Sequence, residues 1–255
     1  MKRIASMLLT ATAVAAAAAV SANAANASAA AIKNVVLVHG SFADGSGWRA
    51  VADILEKDGY HVAVVQHPET SLADDVTAVK RVLAMQDGPA VLVGHSYGGV
   101  VITEAGTDPK VAALVYVAGM APDEGEVAGQ LLQKIPAAST AVMPTADGYL
   151  FLDPARFRAD FAADLPAELT RFMALSQVMT NGAAFGTKIT NPAWKTKPTW
   201  AIVATEDRAI NPELERFMYQ RAGAKVTEVK ASHAVYISRP KEVAAVIEKA
   251  AAGVK

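Results

Sequence analysis

Residues 90–99 read Ala-Val-Leu-Val-Gly-His-Ser-Tyr-Gly-Gly, an apolar run followed at once by a turn rich in glycine. An apolar run of this length is typical of a buried strand, and the residues after the turn predict a helix through 100–104. Residues 94–98 match the pattern G-x-S-x-G, in which a sharp turn from strand to helix exposes the serine hydroxyl. Glycine is needed where side chains would collide in such a turn. Ser96 is therefore the candidate nucleophile.

Apolar runs of strand length continue on both sides of this segment and alternate with stretches of helical period. Strands are predicted at 35–38, 61–65, 90–93, 111–117, 199–205 and 225–229. Further helices are predicted at 48–57, 72–85, 212–222 and 239–252. Continuous apolar strands separated by helices indicate a parallel sheet with both faces covered. The predicted fold class is therefore α/β, with a doubly wound, mostly parallel sheet and right-handed crossovers.

This alternation stops between residues 120 and 195. Two helical stretches are predicted there, at 126–133 and at 155–179, the second interrupted at Pro166. Open α/β sheets place their sites at the carboxyl ends of the strands, where loops and insertions lie. We therefore predict a sheet core formed by 34–119 and 196–255, with 120–195 as a helical cap inserted between strands.

The first 31 residues are rich in alanine, and no acidic residue occurs before Asp44. A short basic start, an apolar stretch and the cleavage pattern Ala22-Asn23-Ala24, with Ala27-Ser28-Ala29 as a second candidate, are typical of a secretory signal peptide. The sequence therefore predicts a signal peptide at 1–24, a flexible segment at 25–33 and a bacterial protein that is periplasmic or secreted. A membrane anchor is disfavoured because the run is short of the ~20 strongly apolar residues of a span.

Composition excludes several classes of protein. Lys and Arg number 24 against 25 Asp and Glu, which gives no basic surface of the kind that binds nucleic acid. The chain has no cysteine, so a disulfide scaffold, a thiolate nucleophile and cysteine-ligated metals are excluded. No zincin, Walker or dinucleotide-binding motif is present. We therefore expect neither a metal nor a cofactor, no nucleic-acid partner, and no membrane association after the signal is removed.

A serine hydroxyl needs a neighbouring base to act as a nucleophile near neutral pH. With this turn, the order along the chain is serine, acid, histidine, and His233 is the one histidine after Ser96. His233 follows the last predicted strand, at the same edge of the sheet as Ser96. The acid is expected after the strand at 199–205, and the second residue of that turn, Asp207, is preferred because it is better placed to reach the histidine. The alternatives for the acid are Glu206 and Asp123.

Acyl transfer also requires hydrogen-bond donors where negative charge develops on the substrate oxygen. One donor is expected to be the backbone N–H of Tyr97, directly after the nucleophile. The other is expected from the loop after the first strand, with Ser41 preferred and Phe42 as the alternative. His39 is expected to brace this loop.

Together these segments resemble the α/β-hydrolase superfamily, and more closely its branch of plant methyl-ester esterases, hydroxynitrile lyases and bacterial relatives. The resemblance covers roughly residues 34–252. It assigns the same roles to Ser96, Asp207 and His233, and the same oxyanion N–H groups to Ser41 and Tyr97. The lyases carry a lysine after the histidine, where this chain has Ala234. The resemblance therefore implies an esterase rather than a lyase.

The expected activity is hydrolysis of carboxylic esters of small apolar substrates through an acyl-enzyme on Ser96. The alternatives are the same residues acting on amide, lactone or thioester substrates, and a non-catalytic binding protein on this scaffold. The sequence does not indicate an oligomeric state.

Overall fold

The computed structural model describes residues 32–254, and every structural statement below refers to them. The predicted signal peptide, 1–24, lies outside the described residues, as does most of the predicted flexible segment. At the end of that segment Ile32 is buried, 6% exposed, and packs against the central sheet.

The described strands alternate with helices for most of the chain. The strands are β1 (Asn34–Val38), β2 (His61–Val65), β3 (Ala90–His95), β4 (Val111–Val117), β5 (Val142–Pro144), β6 (Tyr149–Leu152), β7 (Thr180–Asn181), β8 (Thr199–Ala204) and β9 (Lys225–Val229). The helices are α1 (Arg49–Lys57), α2 (Leu72–Ala84), α3 (Gly98–Ala105), α4 (Ala128–Lys134), α5 (Phe157–Phe161), α6 (Ala167–Leu175), α7 (Gly182–Phe185), α8 (Pro212–Arg221), α9 (Val235–Ser238) and α10 (Pro240–Gly253). Short 3-10 helices lie at Gly45–Trp48 and Ala193–Lys195.

Six strands form the central sheet in the order β2-β1-β3-β4-β8-β9, and every pairing between them is parallel. Successive residues of β1 point to opposite faces: Val36 belongs to the core that α2, α3 and α8 cover, and Leu37 to the core under α1 and α10. Both faces are thus covered, which is why the strands read as continuous apolar runs. The predicted doubly wound α/β fold is confirmed.

The order of the strands also places the site. From β1 the chain first moves outward to β2 and then returns to the other side of β1 to form β3. In open α/β sheets, the crevice at such a reversal lies at the carboxyl ends of the two strands and binds ligands. Here it lies between the loop after β1 and the turn after β3.

Residues 120–195, which we call the cap segment, connect β4 to β8. They contain the predicted helices, but the predicted helix at 155–179 is two shorter helices, α5 and α6, separated by a turn at Pro166. The segment also holds an antiparallel sheet in the order β5-β6-β7, which the sequence pattern did not predict. The turn between β5 and β6 contains Asp147-Gly148, a pair typical of hairpins, and Gly148 has φ of +87°. Asp147-Gly148 is therefore the feature of the sequence that indicates this hairpin. The division into a core and a cap as domains stays a prediction.

None of the helices within residues 32–254 combines the length and the apolar character that crossing a bilayer requires.

Candidate active site

Ser96 occupies a strained turn between β3 and α3. Its φ is +53°, in the left-handed region that non-glycine residues rarely adopt. The turn is crowded: a Cβ on Gly94 would lie 2.5 Å from the Gly98 carbonyl oxygen, and a Cβ on Gly98 would lie 2.4 Å from the His39 carbonyl oxygen. Both contacts are with backbone, so neither neighbour can easily give way. The predicted turn is present: Gly94 is required by contacts within the turn, as expected, whereas Gly98 is required by the close approach of the loop after β1.

Backbone strain gathers at this edge of the sheet. Among residues 32–254, the non-glycine residues with positive φ are Phe42, Glu69, Ser96 and Ala118. Each follows the end of one of the first four strands of the chain. Strain of this kind persists where surrounding structure over-determines it, and it is concentrated at functional sites. The four together mark the carboxyl edge of the sheet as the candidate active site.

His233 and Asp207 meet at this edge. Nδ1 of His233 lies 2.5 Å from Oδ2 of Asp207, and both residues are buried. The other carboxylate oxygen, Oδ1, accepts hydrogen bonds from the backbone N–H groups of Ala209 at 2.7 Å and Ile210 at 2.9 Å. These donors fix the orientation of the Asp207 carboxyl group, so its other oxygen faces the His233 ring as an acceptor. His233 therefore donates from Nδ1, which leaves Nε2 free to accept a proton.

The alternative acids lie elsewhere. The Glu206 carboxylate is half exposed and lies 3.6 Å from the Lys230 ammonium. Asp123 pairs with Lys195 at 2.8 Å in the cap segment. Asp207 is thus the candidate acid that the structure brings to His233.

Ser96 and His233 line one cavity, together with both residues of the expected oxyanion hole, Ser41 and Tyr97. No hydrogen bond joins Ser96 Oγ to the His233 ring in the described part of the chain. Such contacts are often long without substrate and tighten in the complex. The backbone N–H groups of Ser41 and Tyr97 have no partner among the described backbone and side-chain acceptors. They are available to a substrate oxygen.

The cavity has a volume of about 220 Å³. The described residues that line it carry no charged side chain. Apart from glycine, its remaining walls are apolar and come from both the core and the cap segment: Phe42, Met120, Leu132, Val142, Leu150, Leu152, Phe161, Phe185, Ala209 and Ile210. Ser139 adds one hydroxyl. Ser96 and His233 thus face a cavity that is uncharged and mostly apolar.

His95, between Gly94 and Ser96, supports the loop that carries His233. Its Nε2 lies 2.9 Å from the His233 carbonyl oxygen and donates to it. Complete burial and the neighbouring His233 lower the pKa of His95 well below its usual value. His95 is therefore neutral, and one N–H remains to make this bond.

A second buried cluster, His39, His67 and Glu69, has donor atoms close enough together to raise the question of a metal ion. The two imidazoles stack face to face, with centroids 3.8 Å apart and planes 9° from parallel. A metal ion must lie close to the plane of each imidazole that binds it, and two stacked parallel planes share no such point. Nε2 of His67 is also engaged with the His39 carbonyl oxygen at 3.0 Å. The cluster does not fit a metal ion.

The cluster instead braces the loop after β1. Nδ1 of His67 lies 3.2 Å from Asp75 Oδ1, and Asp75 Oδ2 accepts a hydrogen bond from the Tyr97 hydroxyl at 2.8 Å. Glu69 contacts His39 at 3.4 Å and accepts a hydrogen bond from Thr180 of the cap segment. These contacts connect Tyr97 and the loop that carries Ser41 to the cap segment. The sequence predicted the bracing role of His39 but not its partners, because those partners are far apart in the chain.

Comparison with known proteins agrees with this geometry. The sequence profile described as "Alpha/beta hydrolase family" matches residues 35–246. A pyrethroid hydrolase from Sphingobium wenxiniae is 27% identical, with 85% of this chain and 86% of that protein covered. Methylesterase 7 from Arabidopsis thaliana is also 27% identical, with 84% and 95% covered. A carbendazim hydrolyzing esterase from Nocardioides is 33% identical, but the match covers only 40% of this chain and 48% of that esterase.

Solved structures show the same fold. The crystal structure of a pyrethroid hydrolase from Sphingobium faniae superposes with a TM-score of 0.74 at 25% identity, covering 87% of this chain and 98% of that one. Polyneuridine aldehyde esterase superposes with a TM-score of 0.73 at 20% identity, covering 85% and 98%. The match to the family spans most of the described residues, and the named relatives are esterases and hydrolases. The chain therefore belongs to the alpha/beta hydrolase family and is a hydrolase of its esterase branch.

Proposed function

We propose that this protein is a serine esterase that cleaves carboxylic esters of small, uncharged, apolar substrates. One observation carries the proposal. The His233 ring contacts the buried Asp207 at 2.5 Å and lines the same apolar cavity as Ser96. A charged substrate would lose its hydration in this pocket without meeting an opposite charge. The pyrethroid hydrolase and methylesterase relatives support ester substrates for this chain.

In the proposed mechanism, Ser96 Oγ attacks the ester carbonyl carbon while Nε2 of His233 takes the hydroxyl proton. The carbonyl π electrons move to oxygen, and the N–H groups of Ser41 and Tyr97 stabilise the resulting oxyanion. The tetrahedral intermediate collapses, the bond to the alcohol oxygen breaks, and His233 gives its proton to that oxygen. Water then attacks the acyl-enzyme by the same route and regenerates Ser96.

Asp207 acts on His233 rather than on substrate. Its carboxylate fixes the proton of the imidazole on Nδ1 and stabilises the imidazolium that forms when Nε2 takes the proton of Ser96. The two backbone donors to Oδ1 keep the carboxylate oriented. The His233 imidazole therefore keeps the required orientation at each proton transfer.

The direct test is hydrolysis of p-nitrophenyl esters from acetate to laurate by the purified protein, by Ser96→Ala and by Ser176→Ala. The last variant removes a hydroxyl from an exposed cap residue and is the matched control. We expect Ser96→Ala to lose activity by a factor on the order of a thousand or more, and the control to keep it. An active Ser96→Ala protein would refute the mechanism. A folded wild type that cleaves no ester would favour the binding-protein alternative.

We further propose that the enzyme is exported, on the basis of the predicted signal at 1–24. Expression of the full-length chain in a bacterial host, fractionation and sequencing of the mature N-terminus would test this. Cleavage after Ala24 in the periplasmic or secreted fraction is the expected result, and an intact cytoplasmic chain would contradict it.

A further inference from the structure

Glu215 is a fully buried carboxyl group that the mechanism above does not use. It lies on α8, on the side that packs against the central sheet, between the buried residues Leu214 and Met218. Arg216, the next residue in the chain, directs its guanidinium outward to Glu213 at 2.6 Å and Glu228 at 2.7 Å. An ionised carboxylate is costly to bury without a partner of opposite charge. In the described part of the chain, Glu215 has none.

The contacts of Glu215 lead to the candidate acid. Oε2 accepts a hydrogen bond at 3.2 Å from the backbone N–H of Ala204, the last residue of β8. The carboxyl group of Glu215 lies beside that of Asp207, whose own backbone N–H donates to the Ala204 carbonyl oxygen at 3.1 Å. Oε1 is buried and has no N–H or hydroxyl donor within the described residues. Two buried carboxyl groups that share one site favour a single proton between them, because two like charges repel.

The hydrogen bonds decide which group holds that proton. Asp207 accepts from the ring of His233 through Oδ2 and from the backbone N–H groups of Ala209 and Ile210 through Oδ1, so both of its oxygens are already engaged as acceptors. Glu215 accepts from one backbone N–H only. Burial, followed by the charge of Asp207 and the hydrogen bond with it, raises the pKa of Glu215 well above its usual value. The proton therefore lies on Glu215.

We propose that Glu215 is a positioning residue, which as a neutral carboxylic acid donates its O–H to Asp207 and thereby fixes that carboxylate beneath His233. The proposal rests on the roles of Asp207 and His233 in the proposed function. It extends the usual three residues to a chain of four: carboxylic acid, carboxylate, imidazole and serine hydroxyl.

The other titratable groups around Glu215 do not replace this bond. The Tyr219 hydroxyl, one turn further along α8, donates to the Gly119 carbonyl oxygen at 2.8 Å and accepts from the Gly119 N–H at the same distance. Arg216 is engaged by two glutamates on the exposed side. Within residues 32–254, Glu215 is therefore the side chain besides His233 that we assign as a donor to Asp207.

The test compares two variants of Glu215 that differ in donor capacity. Glu215→Gln keeps an uncharged donor of similar shape, whereas Glu215→Met keeps the volume and removes the donor. We expect Glu215→Gln to retain kcat within about threefold and Glu215→Met to lower it about tenfold or more, the effect of one lost hydrogen bond to a charged group. Glu213→Met, at an exposed position of the same helix, is the control and should match the wild type.

The pH profile separates positioning from a packing role. In the proposed mechanism, the acid limb of kcat/KM follows the protonation of His233. Without the donor at 215, the charge of Asp207 is less dispersed and attracts the His233 proton more strongly. The acid limb of Glu215→Met should therefore move to higher pH, while that of Glu215→Gln should stay with the wild type. A Met variant with wild-type kcat and limb, or a Gln variant as impaired as Met, would overturn the proposal.

An infrared measurement tests protonation without reference to activity. At neutral pH, the difference spectrum between the wild type and Glu215→Gln should contain the C=O stretch of a protonated carboxylic acid, and the same band should persist in a Ser96→Ala background. Absence of that band in folded protein would show that Glu215 is ionised and would refute the proposal. Because this result does not depend on ester hydrolysis, it distinguishes failure of the proposal from failure of the proposed function.

Discussion

Asp164 of the cap segment accepts hydrogen bonds from both the backbone N–H and the hydroxyl of Ser232, the residue immediately before His233. On the other side of His233, the N–H of Ala234 donates to the Phe161 carbonyl oxygen at 3.0 Å. The loop that carries the candidate base is therefore held from both sides by residues 161–164. The cap segment thus supports the candidate site directly, in addition to lining the cavity.

Helix α5 of the cap segment also contacts the loop that carries Asp207, the candidate acid. Asp160 lies 3.0 Å from Arg208, the residue after Asp207, and accepts a hydrogen bond from Ser139 at 3.0 Å. Burial alone would raise the pKa of Asp160, but the hydrogen bonds from Arg208 and Ser139 outweigh it and lower the pKa below its usual value. Asp160 is therefore ionised, and α5 contacts the loops of both Asp207 and His233.

Removal of the Asp164 carboxylate should impair catalysis more than binding. We expect Asp164→Ala to lower kcat about tenfold with little change in KM, since the His233 loop loses two hydrogen bonds to a charged group. Steady-state kinetics on a short-chain p-nitrophenyl ester provide the measurement. Asp147→Ala, in the exposed hairpin turn between β5 and β6, is the control. An unchanged kcat in folded Asp164→Ala protein would show that the loop does not need this contact.

A methyl group on Gly40 should disrupt the site. A Cβ there would lie 2.6 Å from Ser96 Cβ and 2.9 Å from the His95 carbonyl oxygen. The loop of Ser41 or the Ser96 turn must then shift, and we expect Gly40→Ala to lower kcat/KM on the order of a hundredfold, as loss of an oxyanion donor does. The control is Gly88→Ala, where the nearest atom would be 3.5 Å away. Comparable activity of the two variants would contradict the predicted crowding.

Shortening Phe185 should enlarge the cavity and lengthen the preferred acyl chain. Phe185 lines the cavity, and its ring contacts Tyr97 at a centroid distance of 5.1 Å. We expect Phe185→Ala to raise kcat/KM for medium-chain esters relative to acetate on the order of tenfold, the usual worth of a methylene or two in an apolar pocket. Phe172→Ala, 63% exposed on α6 and outside the cavity, is the matched control. An unchanged chain-length preference would place the acyl group elsewhere.

Stability should depend on pH through His67. Burial alone would lower the pKa of His67, but Asp75 outweighs that effect, with help from the His39 carbonyl oxygen, and the pKa is raised above its usual value. The folded protein therefore binds this proton more tightly than the unfolded chain. The resulting stabilisation is fully present below the ordinary histidine pKa of about 6.5 and is lost as the pH rises through the folded value.

The measurement for His67 is urea unfolding of the wild type and His67→Gln between about pH 6 and pH 9, a range that spans the loss of this stabilisation. The difference in unfolding free energy between the two proteins should be largest at the acid end and should shrink towards pH 9. His61→Gln, at an exposed histidine, is the control. A difference that grows with pH would show that His67 is neutral in the folded protein.

Much of this molecule follows from the sequence because the relevant physics is local. The continuous apolar run before Gly94 and the glycine-rich turn around Ser96 indicate a strand, a turn and a helix within ten residues, although the atom that a Cβ on Gly98 would meet is the distant His39 carbonyl oxygen. The positions of Asp207 and His233 also follow from the sequence. Each comes just after a strand, and all strands of a parallel sheet end at the same edge. The short, exposed strand β5 and its Asp147-Gly148 turn were missed because the helical period of the surrounding cap residues was the stronger pattern.

The tertiary structure alone decided which distant groups touch. Glu215 reads in the sequence as one more glutamate on a charged helix, and only the packing of α8 against the sheet buries it beside Asp207. Asp164 meets Ser232 across 68 positions of chain. The stacked pair of His39 and His67 likewise arises from two loops that the sheet brings together. Local sequence determines the conformation of each turn, but a buried polar contact depends on the packing of elements that are far apart in the chain.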